Sequence, residues 1–455
     1  MPLITSVSGI RGVFGDGLDA DVIVRYAGAF GRWVRRRGGR TVVIGRDGRT
    51  TGEACARLVA GALQAAGVDV VDAGLAATPT VAVGVIEAGA GGGVVLSASH
   101  NPAQWNALKL LDQNGEFLDA DEMDRVYEFA GAGGLTEAHD AVGTYTAADF
   151  LPAHIARILR LPEIDPAAIA DRRFRVVLDA VNSVGAVALP PLLHALGVAD
   201  IDVINEEVTG LFAHNPEPLE QNLSELIRRV GDAGADLGLG VDPDADRLAL
   251  VEDGGVYCGE EATQVLAADF WLSKRPGPVA TNLSSSRAMD DVAARHGQVC
   301  HRAPVGEIHV VQAMRRAGAV IGGEGNGGVI LPDVHYGRDA LVGAALVLQH
   351  MAESGRPLSE MRADLPAYHM AKHRLELDEG VDAGALLAGL SAAHAGGRVS
   401  TIDGVRVDLD EGWAHVRRSN TEPIVRIYTE AATAEAAEAL ARRFELELMS
   451  FAPGA

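Results

Sequence analysis

The chain has 455 residues, of which 39 are basic and 62 are acidic, so its formal charge at pH 7 is −23. This length predicts about three or four domains, and the negative charge disfavours nucleic acid as a partner. Three cysteines, Cys55, Cys258 and Cys300, lie far apart and outside any C-x-x-C spacing. They favour a reducing, cytoplasmic location over a disulfide framework or a zinc site. The sequence predicts neither an export signal nor a membrane span.

Three stretches share one pattern: a short β-branched run, a polar turn, a helical Ala/Leu pattern and a second apolar run. They begin at Thr41, Phe174 and Gly277. Strands that alternate with helices at this spacing predict βαβ units and parallel or mixed sheets. In the first stretch a strand is predicted over 42–44 and a helix over 53–66. In the second, a strand is predicted over 176–178 and a helix over 186–196, and in the third a helix over 288–296.

Two other regions differ from this repeated pattern. Helical periodicity over 147–161 predicts a bridge between the first two domains. From about Tyr368, the mixture of strand and helix patterns predicts a separate α+β domain. The predicted fold class is therefore α/β, with three related α/β domains of mixed sheets and a smaller C-terminal α+β domain. The predicted domain boundaries are 1–150, 151–255, 256–367 and 368–455.

The first segment with candidate catalytic residues follows a predicted strand over 94–96. It reads S-A-S-H-N-P, from Ser97 to Pro102. Proline interrupts regular structure, and the small residues permit a tight, exposed turn. A serine on such a turn, next to His100 and upstream of Lys109, can act as a nucleophile or as a phosphorylated carrier. The alternative is a polar turn that caps the following segment.

The second segment places Asp242, Asp244 and Asp246 between two apolar strands. Three closely spaced carboxylates repel one another unless a cation lies among them, and oxygen ligands select a hard ion such as Mg²⁺. An EF-hand loop needs a glycine and a bidentate glutamate where this chain has Arg247 and Asp253, which disfavours calcium storage. A solvated hairpin turn is the alternative.

The third segment is the glycine-rich G-E-G-N-G-G, which places Glu324 and Asn326 after a predicted strand over 319–321. A carboxylate and an amide between glycines can reach a ligand without obstruction, and they suit the hydroxyl groups of a sugar. The alternative is a glycine-rich turn that binds no ligand.

The fourth segment is a predicted loop between two strands, in which hydroxyls, backbone N–H groups and cations would suit a phosphate. Its residues are Arg417, Ser419, Asn420, Thr421 and Arg426. A hairpin loop without a ligand is the alternative. Near the first domain, further charged residues come from Arg11 and from the G-R-D-G-R turn with Arg46, Asp47 and Arg49.

In this order, the four segments resemble the α-D-phosphohexomutase superfamily, whose members move a phosphoryl group between the 1 and 6 positions of a hexose. The resemblance covers the whole chain, and the combination of S-A-S-H-N-P with D-P-D-A-D-R is highly specific. It implies three related α/β domains and a smaller fourth domain around a central active-site cleft, with one loop from each. It also implies a sugar phosphate as the substrate and Mg²⁺ as the cofactor.

The resemblance also implies roles for individual residues. Ser99 would be the phosphoserine and, with Asp242, Asp244 and Asp246, would hold Mg²⁺. A second group would stabilise the reacting groups or exchange protons with them: Arg11, His100, Lys109 and Arg247. A third group would bind the substrate, with Glu324 and Asn326 on the sugar and Arg417, Ser419, Asn420 and Thr421 on the non-reacting phosphate. From its charge in the same segment, Arg426 is also predicted to bind the substrate.

Two departures from the family pattern bear on the choice of sugar. Many members have G-E-x-S-G-H where this chain has G-E-G-N-G-G, and N-A-L-K replaces the common N-G-x-K. With V-G-E at Val305 to Glu307, this form looks more like the archaeal-type phosphoglucosamine mutases than like phosphomannomutase/phosphoglucomutase, which is the alternative. Two further hypotheses are a phosphatase with Asp242 as its nucleophile and a non-catalytic sugar-phosphate binding protein.

Overall fold

The computed structural model describes residues 3–7, 9–134, 136, 141–377, 381–418 and 424–452. The chain divides into two compact units. Unit 1 consists of Met1–Lys274 and Asn326–Arg362, and unit 2 consists of Arg275–Gly325 and Ala363–Ala455. The predicted third domain, 256–367, therefore has residues in both units.

The first sheet of unit 1 has eight strands. They are β1 (Ile4–Ser6), β2 (Gly9–Phe14), β3 (Gly17–Leu18), β4 (Thr41–Arg46), β5 (Asp69–Leu75), β6 (Gly92–Leu96), β7 (Trp105–Leu111) and β8 (Tyr145–Ala147). The strand order is β1-β2-β7-β6-β4-β5-β8, with β3 beside β2. Strands β4, β5, β6 and β8 are parallel, whereas β7 is antiparallel to both β6 and β2.

Helices cover both faces of this sheet. The helices of this region are α1 (Ala20–Arg36), α2 (Gly52–Ala65), α3 (Thr78–Glu87), α4 (Ala120–Ala132) and α5 (Leu151–Leu159). Val42 and Ile44 pack with residues of α1, α2 and α4, while Val43 packs with residues of α3. Because successive side chains of a strand point to opposite faces, a strand covered on both sides needs an uninterrupted apolar run. The sequence V-V-I in β4 meets that need.

The predicted helix over 147–161 is shorter in the structure. Residues 145–147 form β8, which pairs with β5, and α5 begins only at Leu151. Pro152 explains the later start, because proline is well tolerated in the first turn of a helix and poorly in its interior.

The second sheet of unit 1 has the order β10-β9-β11-β12-β13. Its strands are β9 (Arg175–Asp179), β10 (Asp200–Ile204), β11 (Leu237–Val241), β12 (Leu248–Glu252) and β13 (Val256–Tyr257). The remaining elements of unit 1 are α6 (Pro166–Arg172), α7 (Gly185–Ala195), α8 (Ser224–Ala233), α9 (Ala262–Lys274), β17 (Gly328–Ile330), α12 (Ala340–Ser354) and most of α13 (Leu358–Ala363). β9, β10 and β11 are parallel, and β12 returns antiparallel to β11.

Unit 2 contains three parallel strands in the order β15-β14-β16 and a five-stranded antiparallel sheet in the order β18-β22-β21-β20-β19. The strands are β14 (Val279–Asn282), β15 (Cys300–Ala303), β16 (Ile321–Glu324), β18 (His369–Glu376), β19 (Arg398–Ser400), β20 (Val405–Asp408), β21 (Gly412–Arg418) and β22 (Ile424–Ala431). The helices are α10 (Ala288–Arg295), α11 (Glu307–Ala317), α14 (Ala383–Ala393) and α15 (Ala434–Met449). The last two pack on the antiparallel sheet around Leu390 and Phe444.

The predicted fold class, α/β with mixed sheets and a C-terminal α+β region, is confirmed. Among the helices in the described ranges, none is both long enough and apolar enough to span a bilayer.

Candidate active site

Ser99 lies on the turn that follows β6, and its φ of +49° is in the left-handed region that residues other than glycine seldom adopt. The Ser97 hydroxyl oxygen accepts a hydrogen bond from the Ser99 N–H at 2.9 Å. The Ser99 hydroxyl donates to Asp242 Oδ2 at 2.7 Å, and Ser99 is buried. The fold therefore joins the first and second sequence segments by a direct contact.

The guanidinium of Arg49 fixes the shape of the serine turn. The parallel pairing of β4 with β6 places the ends of both strands at one edge of the sheet, with Arg46 opposite Leu96. The side chain of Arg49 is fully buried and uses all five of its N–H donors. The acceptors are the Asp47 carboxylate (3.0 Å) and the backbone carbonyls of Ser99 (2.6 Å), Asn101 (2.7 Å), Pro102 (2.6 Å) and Trp105 (2.9 Å). Arg49 thus supports the turn and has no donor left for a ligand.

The aspartate loop, Asp242 to Asp246, connects β11 to β12, and its three carboxylates are buried. Asp242 Oδ1 accepts the backbone N–H groups of Asp246 and Arg247, both at 3.2 Å. One oxygen from each aspartate lies within 4.8 Å of the others. Burial, followed by repulsion from Asp246 and Asp244, raises the pKa of Asp242 well above its ordinary value.

The donor set of the aspartate loop fits a hard divalent cation. Asp244 Oδ1 and Asp246 Oδ1 are buried and accept no hydrogen bond within the described part of the chain. Buried oxygens without a partner cost free energy. A cation bound to them would remove that cost and would also offset the repulsion among the carboxylates. The ligands within reach are all oxygens, as hard cations prefer.

The second oxygens of Asp244 and Asp246 hold the loop in place. Lys109 Nζ donates to Asp244 Oδ2 at 2.6 Å, and the Thr78 hydroxyl donates to the same oxygen. Arg338 Nη2 donates to Asp246 Oδ2 at 2.6 Å. Burial alone would raise the pKa of Asp244, but the Lys109 ammonium, the Thr78 hydroxyl and the charge of Arg338 together outweigh it and hold that pKa below its ordinary value. One oxygen of each residue is thus anchored, while the other is left for a ligand.

His100, Arg11 and Arg247 complete the predicted catalytic set. Arg11 Nη1 donates to Asn101 Oδ1 at 2.8 Å, and burial lowers the pKa of Arg11. The charge of Arg247, together with burial and the charge of Arg11, lowers the pKa of His100 to about 2, so its imidazole is neutral at pH 7. Lys109 and Arg338 act on His100 in the same direction. The serine turn therefore lies among cations, as the binding of a phosphoryl group requires.

A second buried cluster of unit 1, the Asp339 cap, consists of Asp339, His154 and His335. Asp339 Oδ2 lies 2.8 Å from Nε2 of His154 and 3.0 Å from Nε2 of His335. Its Oδ1 accepts the first N–H groups of α12, those of Leu341 and Val342. Burial would raise the pKa of Asp339, but the two imidazoles outweigh it and keep that pKa below its ordinary value. Both oxygens are satisfied, so the cluster caps a helix without a metal.

In unit 2, Glu324 ends a strand instead of lying in a loop. The predicted strand over 319–321 is displaced to Ile321–Glu324, because the pairing of β16 with β14 continues to Gly323. Glu324 is buried, and its Oε1 accepts hydrogen bonds from Asn282 Nδ2 at 2.8 Å and from the Gly306 N–H at 3.0 Å.

In unit 1, Asn326 Oδ1 accepts the Gly328 N–H at 3.3 Å. The residue between them, Gly327, has a φ of +89°, and a Cβ there would lie 2.4 Å from the Leu248 carbonyl oxygen. Only glycine fits this position, so the glycine-rich sequence has a steric cause.

Arg417 and Arg426 lie in strands β21 and β22, which corrects the expectation that both belong to a loop. They are direct cross-strand partners, and Arg426 is also opposite Arg374 of β18. Like charges in directly opposite positions destabilise a sheet, and a bound anion would offset that repulsion. Ser419, Asn420 and Thr421 lie outside the described residues.

Three residues at these sites were missed by the sequence analysis: Thr78, Arg338 and Arg374. Thr78 and the following Pro79 form a helix start after β5, and Arg338 precedes the helix cap Asp339. Those local signals predict helix boundaries but no contact with a distant aspartate. The position of Arg374 opposite Arg426 can be recognised only once the register of β18 against β22 is known.

All four domain families of phosphoglucomutase/phosphomannomutase match the chain, in order. Domains I, II and III, each described as an alpha/beta/alpha domain, match residues 3–135, 152–255 and 257–368, and the C-terminal domain matches 374–447. This family is typically metal-dependent, and the aspartate loop provides carboxylates able to hold an ion.

Curated relatives and solved structures agree with that match. A probable phosphoglucosamine mutase of Methanopyrus kandleri is 36% identical over 445 residues, 96% of each chain. A phosphoglucomutase/phosphomannomutase of Thermococcus kodakarensis is also 36% identical, over 94% of each chain. The crystal structure of a phosphoglucomutase/phosphomannomutase family protein from Burkholderia thailandensis has a TM-score of 0.85 at 29% identity and covers 99% of both chains. The chain belongs to the phosphoglucomutase/phosphomannomutase family of the phosphohexomutases, a family of isomerases.

Proposed function

We propose that this chain transfers a phosphoryl group between O6 and O1 of a hexose phosphate by way of a phosphorylated Ser99. The main support is the 2.7 Å contact between the Ser99 hydroxyl and Asp242, inside a buried carboxylate loop and among cations. A hydroxyl on a tight turn, beside a site that fits a cation, is a suitable carrier for a phosphoryl group.

The carrier role requires two transfers. In the first, the bond between phosphorus and the Ser99 oxygen breaks and that oxygen takes up a proton, while a free hydroxyl of the sugar phosphate forms a bond to phosphorus and releases its proton. The product is a hexose 1,6-bisphosphate. The intermediate then reorients in the site, and its other phosphoryl group moves to Ser99. The Ser99 oxygen forms the new bond to phosphorus and releases its proton, while the sugar oxygen leaves and takes up a proton.

The residues of unit 1 have distinct roles in these transfers. Lys109, Arg11, Arg247 and Arg338 offset negative charge near the transferred group. Asp242, Asp244 and Asp246 would hold Mg²⁺ together with an oxygen of Ser99. When bound, that ion supplies positive charge to the phosphoryl group.

The contacts of Asp242 count against a phosphatase with this residue as nucleophile. Its Oδ1 accepts two backbone N–H groups and its Oδ2 accepts the Ser99 hydroxyl. A carboxylate with both oxygens engaged is a poor nucleophile. The contacts instead suit a metal ligand that also orients the serine.

We assign the substrate contacts to the third and fourth segments. Glu324 and Asn326 would bind sugar hydroxyls. The row of arginines at Arg417 and Arg426, with the segment Ser419 to Thr421, would bind the phosphate that does not react. In the domain division predicted from the sequence, 1–150, 151–255, 256–367 and 368–455, each domain supplies one of the four segments defined in the sequence analysis.

Glucosamine phosphate is our first choice of substrate, because the G-E-G-N-G-G form resembles archaeal-type phosphoglucosamine mutases, and a relative with that name is 36% identical. Mannose or glucose phosphate is the second choice, since a phosphoglucomutase/phosphomannomutase has the same identity.

The test combines mapping of the phosphate with substrate kinetics. After reaction with glucose 1,6-bisphosphate, peptide mass spectrometry should locate the phosphate on Ser99, and its location on Ser97 would overturn the mechanism. Glucosamine 6-phosphate should give the highest kcat/KM when compared with the mannose and glucose 6-phosphates. Asn326→Ser should change the ratios among the sugars and leave phosphorylation of Ser99 intact. Equal or better turnover of mannose or glucose phosphate would favour the second substrate choice.

A further inference from the structure

A closed ring of hydrogen bonds in unit 2 joins the residues proposed to bind phosphate and sugar. Its central residue is Asp403, which precedes β20. The Asp403 carboxylate accepts a hydrogen bond from the Val305 N–H at 3.0 Å and lies 3.2 Å from Arg417 Nε. Its backbone carbonyl lies 2.6 Å from His415 Nε2. Asp403 therefore contacts β21 twice and the turn before α11 once.

The ring closes through the segment after β14. The Ser284 hydroxyl lies 2.8 Å from His415 Nδ1, and the Ser284 N–H donates to Asn282 Oδ1 at 2.8 Å. Asn282 Nδ2 donates to Glu324 Oε1, the oxygen that also accepts the Gly306 N–H. Since Gly306 follows Val305 in the chain, the path returns to Asp403.

One protonation state satisfies every bond around His415. Burial lowers the pKa of His415 to about 4, so its imidazole is neutral at pH 7. The backbone carbonyl of Asp403 can only accept, which places the imidazole proton on Nε2. Nδ1 then accepts the Ser284 hydroxyl, and no donor meets another donor.

Asp403 determines which edge of the Arg417 guanidinium points to a ligand. Arg417 contacts the Asp403 carboxylate through Nε, which lies 3.4 Å from Oδ1 and 3.2 Å from Oδ2. Within the described ranges, Nη1 and Nη2 of Arg417 make no hydrogen bond. A planar guanidinium held at Nε presents its two terminal amino groups as a fork, the geometry that binds a phosphate through two parallel bonds.

We infer that Asp403 is a positioning residue that orients Arg417 toward the non-reacting phosphate and links this arginine to the sugar-binding Glu324. The inference rests on the proposed function, since Arg417 and Glu324 bind a ligand only under that proposal. Asp403 itself touches neither substrate nor reacting atoms in this scheme. It acts through the guanidinium and through the backbone of Val305 and Gly306.

Electrostatics alone makes the opposite prediction. A carboxylate next to a phosphate site repels the phosphate, so its removal should tighten binding if Asp403 contributes only charge. If Asp403 orients Arg417, its removal should weaken binding, because the fork loses its fixed direction. The sign of the change in affinity therefore separates the two explanations.

The experiment measures KM and kcat for glucosamine 6-phosphate with the full chain and with Asp403→Ala. We expect KM to rise about tenfold, the order expected for loss of one charge-assisted hydrogen bond, and kcat to change much less. Asp403→Asn keeps an acceptor for Arg417 Nε, so its KM should lie between that of the parent protein and that of Asp403→Ala. Asp410→Ala removes an exposed carboxylate of the same unit, 3.4 Å from Arg398, and should behave as the parent protein.

A double-mutant cycle makes the test specific to Arg417. In the Arg417→Ala background, Asp403→Ala should raise KM little further, because the group that it orients is absent. Since Asp403 also holds the backbone next to Glu324, Asp403→Ala should reduce the ratio of kcat/KM between glucosamine and glucose 6-phosphates. Loss of helix signal in circular dichroism would mark a misfolded variant, and the Asp403→Asn result then decides.

Two results would overturn the inference: an unchanged or lower KM in the Asp403 variants, or an equal effect of Asp403→Ala with and without Arg417. Failure of the proposed function looks different. In that case the parent protein itself shows no turnover of the sugar phosphates and no binding of them by calorimetry. The inference then falls with the proposed function on which it rests.

Discussion

The aspartate loop and the Asp339 cap are both buried in unit 1, and each brings three potential metal ligands together. They differ in the bonds of their oxygens. In the aspartate loop, one oxygen each of Asp244 and Asp246 has no hydrogen-bond partner among the described residues. In the Asp339 cap, both oxygens accept hydrogen bonds, from two imidazoles and from the start of α12.

This difference separates a binding site from a structural cap. Asp242 and Asp339 are both fully buried, but the pKa of Asp242 is raised and that of Asp339 is lowered. Repulsion from Asp246 and Asp244 adds to burial at Asp242, whereas at Asp339 the charge of the His154 imidazole and the hydrogen bonds with both imidazoles outweigh burial. Grouping of ligands therefore does not identify a metal site. The number of acceptor sites that the protein leaves unsatisfied is the better guide.

The largest expected difference concerns the hydroxyl group next to each cluster. Ser99→Ala removes the hydroxyl at the aspartate loop and should lower mutase turnover by several orders of magnitude, since the carrier is lost. Thr80→Val removes the hydroxyl that lies 3.0 Å from His154 Nδ1 at the Asp339 cap, and turnover should stay near the parent value. Steady-state assays with glucosamine 6-phosphate compare the two variants. Comparable losses in both would contradict the distinction.

The second-largest expected difference between the two clusters is in their contribution to Mg²⁺ affinity. Asp242→Asn should weaken Mg²⁺ binding by more than the roughly 10- to 100-fold loss that follows substitution of a residue hydrogen-bonded to a metal ligand. Asp339→Asn should leave Mg²⁺ affinity unchanged. Isothermal titration of chelator-treated protein with Mg²⁺ gives both constants, and excess chelator should abolish the activity of the parent protein. Retention of full activity in chelator, or equal weakening by both substitutions, would remove the metal assignment.

The smallest expected effect is on thermal stability, and it has opposite signs in the two clusters. Without metal, Asp242→Asn relieves repulsion among buried carboxylates and should raise Tm, while Asp339→Asn places an amide donor opposite imidazole donors and should lower it. Each change should be a few degrees, since about 1 kcal/mol corresponds to roughly 2–4 °C in proteins of 150–250 residues. Added Mg²⁺ should raise Tm of the parent and of Asp339→Asn, but not of Asp242→Asn. Calorimetric scans with and without Mg²⁺ test these signs.

The sequence predicted the elements that depend on local pattern. The apolar run of β4 and the presence of a turn after β6 follow from neighbouring residues, and the α/β fold class follows from strands that alternate with helices. Contacts made by Arg338 and Arg374 could not be predicted, because they depend on a chain path and a strand register that no local pattern encodes. The helix predicted over 147–161 was too long because its first residues join a sheet edge.

The role of Arg49 limits how the serine motif can be moved between proteins. The shape of Ser99 to Trp105 is determined by one guanidinium encoded some fifty positions earlier and bound to four backbone carbonyls. A graft of S-A-S-H-N-P onto another scaffold would therefore transfer the amino-acid sequence without its conformation. A designer would have to transplant β4, its G-R-D-G-R turn and β6 as one piece, and lysine could not replace the arginine, because a single ammonium lacks the planar five-donor geometry.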